Sequence, residues 1–266
     1  MTGLHASARL LGFFLLSLLA MFTQALMIGL RAPLRIHVPQ AYFRLVASLL
    51  RMRVHVEGEL PERKAALIIA NHASWLDIVA FSTILPVVFV AKREVKSWPF
   101  FGWLARLGGT IFIDRNKRQA AGVARDSMQA MLAEGRLVVL FPEGTTSDGN
   151  RVLPFRSSLL GAAGEASDAT PLIPALIGYW GRHGIPMNRS ERARYAWFGS
   201  MDLPVHLWRV VKAGPFDVTV RFFPPLETGQ GRKAASRQAE SLLRQALAGL
   251  LTGRDRPAVS SRADLR

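Results

Sequence analysis

Ala66-Leu67-Ile68-Ile69-Ala70-Asn71-His72-Ala73-Ser74-Trp75-Leu76-Asp77 runs from five apolar residues straight into a polar turn. A short apolar run bounded by polar punctuation reads as a buried strand. Ser74-x-x-Asp77 is a capping-box pattern, so a helix is expected to begin near Trp75. Residues five apart on a helix lie about 140° from each other, so His72 and Asp77 share no regular helix face. With Ser74 as N-cap, His72 precedes the helix and can turn back onto Asp77. The carboxylate would then fix the imidazole tautomer and leave the other ring nitrogen as a base. Asp77 reads equally well as a helix cap alone, and the two readings are compatible.

Outward from this stretch, further apolar runs lie at 54–56, 87–91, 110–113, 138–141, 172–177 and 218–223. Helix-like stretches fall at 75–85, 100–107, 117–134, 157–166 and 232–251. Strands alternating with helices predict an α/β fold, a central β-sheet flanked by helices. Residues 181–194 read as a basic loop, and the tail from Thr252 as loose.

Residues 10–30 form a run of 21 without a charge, bracketed by Arg9 and Arg31. At about 1.5 Å per residue such a helix reaches about 31 Å, enough to span a bilayer core. A signal peptide has an apolar core of about 7–15 residues and a small-residue cleavage site. This run is longer and ends without an A-x-A pattern, so it reads as a retained N-terminal membrane helix. Arg31, Arg35, Arg44, Arg51 and Arg53 follow the run and only Arg9 precedes it, which predicts that the remainder is cytoplasmic. Residues 42–50 are apolar, too short to span, and suited to the interface.

The composition narrows the partners and the chemistry. There are 34 Lys and Arg against 19 Asp and Glu, a formal charge of +15. That predicts an anionic partner, and with a membrane helix the partner is an anionic membrane surface rather than nucleic acid. The chain contains no cysteine, which excludes disulfides, thiolate metal sites and a cysteine acyl-enzyme. It also lacks G-x-x-x-x-G-K-[ST] and H-E-x-x-H motifs.

Of six histidines, His72 alone follows a strand with an acid five residues on. His5 and His37 flank the apolar helix, His55 sits mid-strand, His183 lies in the basic loop, and His206 reads as a packed member of an aromatic cluster. Two more clusters also end strands: Phe141-Pro142-Glu143-Gly144-Thr145, which as punctuation is only a turn, and Arg115, which taken singly is a surface arginine. A base, a cation and a carboxylate at strand carboxyl ends match the ligand crevice of α/β sheets.

Asn71-His72-x4-Asp77, residues 109–115 (GTIFIDR), residues 141–145 (FPEGT) and Leu172-Ile173-Pro174-Ala175 together resemble the four ordered blocks of the glycerolipid acyltransferases. Lys92 and Glu94 match a K-x-E element between the first two. The pattern is most similar to the 1-acylglycerol-3-phosphate (lysophosphatidate) acyltransferase family. That resemblance implies a central mixed sheet with flanking helices and acyl transfer from a CoA or acyl-carrier-protein thioester to a lysolipid hydroxyl. No metal and no cofactor beyond this cosubstrate is expected. His72 would be the general base and Asp77 its orienting acid. Lys92, Arg115, Glu143, Gly144 and Thr145 would bind substrate, Arg115 at an anionic head group.

On this reading residues 1–35 are the anchor and 36–57 an interfacial segment with the first strand. Residues 58–228 form the catalytic domain, and 229–266 the last helix and tail. Thr146 stands where the third block commonly has arginine, and Ser158 where a glycine usually follows. The pattern, with residues 197–208 (WFGSMDLPVHLW), also resembles the lyso-ornithine lipid acyltransferases. Lysophosphatidate is the first acceptor expected and lyso-ornithine lipid the second. A non-catalytic lipid-binding module on the same fold is the alternative from another class.

Overall fold

A computed structural model of the chain describes residues 3–61, 65–114, 120–161, 170–227 and 231–255. The helix α1 (Gly3–Gly29) is followed by a 3-10 turn at Pro33–Ile36, α2 (Val38–Leu50) and β1 (Met52–Glu57). Next come β2 (Ala66–Ala70), α3 (Leu76–Ile84), β3 (Val87–Lys92), α4 (Phe101–Leu107) and β4 (Ile111–Ile113). Then follow α5 (Ala120–Ala133), β5 (Leu137–Leu140), α6 (Ser157–Gly161) and β6 (Leu172–Arg182). The chain continues through β7 (Ile185–Pro186), α7 (Arg189–Arg192), α8 (Leu203–Ala213), β8 (Phe216–Phe222) and α9 (Arg232–Thr252).

The strands form one sheet in the order β1-β8-β6-β2-β5-β3-β4, with β7 beside β6. Strands β2 to β6 run parallel, whereas β8 is antiparallel to β6 and β1 follows β8. The sheet is therefore mixed, as the family resemblance implies. The carboxyl ends of β2, β3, β4 and β5 share one edge, where the chain leaves for His72, Arg93, Asp114 and Phe141.

Alternation along each strand divides the core into two layers. Ile68, Phe89, Val139, Ile177 and Val218 face a cluster that includes Leu76 and Val79 of α3, Val46 and Leu50 of α2, and Val210 of α8. Leu67, Val88 and Val138 face Met128 of α5 and Ala239 of α9. Farther along β6, Leu176 and Trp180 meet Leu243, Leu247 and Leu250 of α9. Helix α3 is buried almost all round, so it carries no polar stripe. Gly178 allows close packing here, because a Cβ at that position would come within 2.4 Å of Leu250 Cδ2 and force that side chain to move.

The structure revises three expectations. The basic loop at 181–194 instead holds the end of β6, β7 and α7, whose start is a complete capping box between Asn188 and Glu191. Strand β6 runs five residues beyond the expected 177. Helix α8 stands where no helix was expected; Pro204 opens it, and Leu207, Val210 and Val211 supply its buried face. The expected helix at 157–166 is described only as Ser157–Gly161, and residues 117–119 and 256–266 lie outside the described part.

Helix α1 is long and apolar enough to cross a membrane. One face nonetheless packs on the domain. Ser17 Oγ donates to Phe13 O (2.7 Å) and lies 2.8 Å from Tyr42 Oη. Gln24 Nε2 donates to the carbonyls of Arg35 and Leu107, both at 3.0 Å. Phe14 meets Phe100 edge-on at 5.1 Å. Leu11, Leu15, Leu18, Leu19 and Phe22 point outward and are exposed. An exposed apolar face of this size on a domain-docked helix marks membrane association.

Candidate active site

Strand β2 delivers Asn71 to the sheet edge, where its side chain is held twice by β6. Nδ2 donates to Ile177 O (2.9 Å), and Oδ1 accepts from Ile177 N (2.8 Å). This clamp fixes the start of the turn that carries His72. The turn is also tied to two distant loops, through Ser147 N to His72 O (2.8 Å) and Trp197 N to Ala73 O (2.7 Å).

Asp77, in the first turn of α3, is fully buried and points back into this turn. Its Oδ2 accepts from His72 Nδ1 (2.7 Å), Ala73 N (2.7 Å) and Ser74 N (3.0 Å). Its Oδ1 accepts from Tyr179 Oη at 2.5 Å. Four donors compensate the burial of the carboxylate. Both readings of Asp77 thus hold geometrically: one carboxylate satisfies free N–H groups at the helix start and grips the imidazole. Because the carboxylate is an acceptor, the hydrogen on Nδ1 belongs to His72, and Nε2 is left with its lone pair. The ring stacks on Phe141, with centroids 4.0 Å apart and planes at 10°. Its side chain keeps 19% of its surface exposed, so the ring is reachable from outside.

Glu143 is buried beside it, and His72 N donates to its Oε1 at 3.2 Å. The Oε2 atom is buried with no hydrogen-bond partner among the described residues. Burial pushes the carboxyl up to about 8; the N–H groups of His72 and Leu153 act against this, and the charges of Asp77 and Glu240 add to it. Burial thus favours the protonated form of Glu143 at neutral pH. Gly144 follows at φ +70°, a left-handed turn that glycine adopts without strain, and Thr145 is exposed next to it.

Lys92 ends β3 at the same edge, exposed, and two strands removed from β2. Arg115 lies outside the described residues; its neighbour Asp114 accepts from Arg93 Nη1 at 2.9 Å. His72, Asp77 and Glu143 are thus in direct contact, while Lys92 is not part of that cluster. The sequence reading did not find Tyr179, whose phenol is buried and held well above its usual range by burial and then by the Asp77 charge. Its signal was the period-2 pattern Ile173, Ala175, Ile177, Tyr179. His206 is a packed histidine, as expected. It accepts from Trp75 Nε1 at Nδ1 (2.9 Å), and its Nε2 donates to Arg194 O (3.1 Å).

The state of Glu143 makes a pH prediction. Between its ordinary value of 4.5 and about 8, the folded chain keeps a proton that the unfolded chain has released. Stability therefore falls as pH rises through that window. Glu143→Gln cannot ionise, so relative to wild type it should gain up to about 4 kcal/mol, or ~10 °C in thermal midpoint, between pH 5 and pH 8.5. Melts of both proteins in detergent at the two pH values test this; a constant difference between them would contradict it.

An imidazole held by a buried carboxylate at the open edge of an α/β sheet is equipped to take a proton from a hydroxyl. Residues 51–178 match the family model described as Acyltransferase. The chain is 41% identical over 251 residues to the lyso-ornithine lipid O-acyltransferase of Rhizobium meliloti, covering 92% of this chain and 86% of that one. It is 36% identical over 180 residues to the 1-acyl-sn-glycerol-3-phosphate acyltransferase of Neisseria meningitidis, covering 67% and 68%. The fold is similar to the crystal structure of the 1-acyl-sn-glycerophosphate acyltransferase PlsC from Thermotoga maritima, with a TM-score of 0.61, 22% identity and coverage of 94% and 99%. The chain belongs to the acyltransferase family, the one that contains these lyso-ornithine lipid and 1-acylglycerol-3-phosphate enzymes.

Proposed function

We propose that this protein is a membrane-bound O-acyltransferase whose acceptor is lyso-ornithine lipid. The similarity to the Rhizobium meliloti enzyme over 92% of the chain carries the choice of acceptor. The Neisseria meningitidis relative, matched over less of the chain, supports lysophosphatidate as the second reading.

In the reaction His72 Nε2 takes the proton of the acceptor hydroxyl as that oxygen attacks the thioester carbonyl of the acyl donor. Asp77 holds the ring and stabilises the imidazolium. The tetrahedral intermediate collapses to the ester, and the departing thiolate of coenzyme A or an acyl carrier protein takes the proton back from His72. The thioester supplies the activated acyl group, so the reaction as written uses no metal, no further cofactor and no acyl-enzyme. Glu143 helps to hold the acceptor through the turn it fixes, its Oε1 accepting from His72 N. Gly144 shapes that turn, and Thr145, Lys92 and Arg115 complete the substrate contacts.

Both acceptor and product reside in the bilayer. The exposed face of α1 enters the membrane while Ser17 and Gln24 stay on the domain. The arginines after the helix support a catalytic domain on the cytoplasmic face against anionic lipid, which in a bacterium is the inner membrane.

Membranes containing the protein, given labelled acyl donor with each lysolipid separately and the His72→Ala variant as blank, test the proposal. Esterified product from lyso-ornithine lipid is expected. Product from lysophosphatidate alone would establish the second reading, and no product above the blank from either would refute both.

A further inference from the structure

Beyond the Glu143–Gly144 turn the chain folds around an open cavity of about 450 Å³, lined on one side by Thr146, Asp148 and Arg151 and on the other by Arg189 and Phe198. Both walls are fastened to the His72 turn. Ser147, in the first wall, donates its N–H to His72 O, and Trp197, next to Phe198, donates to Ala73 O. The cavity therefore keeps a fixed position relative to the imidazole.

Its charges are arranged in opposition. The Asp148 carboxylate stands between two guanidinium groups, with Arg151 Nε at 4.0 Å from Oδ1 and Arg189 Nη2 at 3.9 Å from Oδ2. Both contacts are at the outer limit for an ion pair. Oδ1 also accepts from Asn150 N at 3.1 Å, which fixes the rotamer. Asp148 is largely covered, at 18% exposure, whereas the arginines are 69% and 78% exposed. A carboxylate inside and two cations at the rim suit a ligand that carries an ammonium and a carboxylate a few bonds apart. A phosphate has no use for the inner carboxylate, which repels it. Position 146 adds to this, because Thr146 lines the cavity. A guanidinium at 146 would occupy the cavity and neutralise Asp148, whereas threonine leaves both the space and the negative charge.

We infer that this cavity is the head-group site and that it reads a zwitterionic amino-acid head group, the ammonium on Asp148 and the carboxylate on Arg151 and Arg189. Ornithine lipidated through one amine has this chemistry. A volume within the usual range of ligand pockets, about 300–1,000 Å³, accommodates it. The inference rests on the acceptor reading given above.

Two variants test it, each assayed for kcat and KM with lyso-ornithine lipid, lysophosphatidate and the acyl donor. Asp148→Asn keeps the acceptor for Asn150 N, so the loop stays folded. Its kcat/KM for lyso-ornithine lipid should fall about 10- to 100-fold, chiefly through KM, with the donor KM unchanged. Thr146→Arg should lower the preference for lyso-ornithine lipid over lysophosphatidate by at least as much. A rise in donor KM to match would assign the cavity to the donor or to structure and overturn the inference. Wild type that esterifies only lysophosphatidate would overturn the acceptor reading and this site with it. Wild type that prefers lyso-ornithine lipid, with Asp148→Asn keeping that preference, would overturn the site alone.

Discussion

Replacing His72 by alanine should lower kcat for acyl transfer by at least about 10²–10⁴, with the protein still folded and membrane-bound. The reason lies in what the ring does and does not hold. It supplies one of four hydrogen bonds to Asp77, and the other three, from Ala73 N, Ser74 N and Tyr179 Oη, survive its loss. The turn also keeps its clamp from Asn71 to β6 and its backbone bond to Ser147. The stack on Phe141 is lost, but the ring is partly exposed and leaves a notch open to solvent rather than a sealed void. Single-turnover transfer should therefore collapse while the thermal midpoint and membrane partition stay near wild type. Retained activity above about a tenth of wild type would remove His72 from the base role.

Why this pair was legible in the sequence, and its supports were not, follows from distance along the chain. His72 and Asp77 are five residues apart and bracket one strand-to-helix turn, so apolar run, capping pattern and histidine all fall within a single window. Tyr179 reaches the same carboxylate from 102 residues away. Gly178 and Gly181 break the apolar pattern on either side of it, and a side chain at Gly178 would push against Leu250 of α9. Strand order and direction are likewise nonlocal. Alternation in 54–56 and 218–223 revealed strands but not that β1 and β8 run against the other long strands. In α1, Ser17 and Gln24 read as minor interruptions of an apolar run. Their role as contacts to the domain depends on Tyr42, Arg35 and Leu107, which only the folded chain brings to them. Helix α8 is not legible from the sequence, although Leu207, Val210 and Val211 have helical spacing, because the segment holds a proline, a histidine and a tryptophan in close succession. The expected role of Arg115 lies outside the described residues.

Asp77→Asn should be nearly as damaging to the rate, for a different reason. An amide offers one acceptor oxygen and one NH₂ donor where the carboxylate offers two acceptors. With the oxygen toward His72, Ala73 and Ser74, the NH₂ faces Tyr179 Oη, which can reverse its role and accept. The opposite orientation would set the NH₂ against three N–H groups, so the first is the one adopted. The turn then persists at a cost of about 1–3 kcal/mol from the weakened charged hydrogen bonds. What disappears is the negative charge beside the imidazole. Neutral asparagine cannot stabilise the imidazolium that forms as the acceptor hydroxyl is deprotonated, and kcat should fall about 10²–10⁴ with KM for both substrates little changed. Tyr179→Phe separates the charge from its support: it keeps the carboxylate and three of its donors, so its loss should be much smaller than that of Asp77→Asn. Steady-state kinetics of the two variants, with thermal midpoints as control, distinguish the roles. A near-normal rate in Asp77→Asn would leave Asp77 only the neutral roles an amide can fill, holding the His72 ring and the start of α3, and would remove its charge from the mechanism.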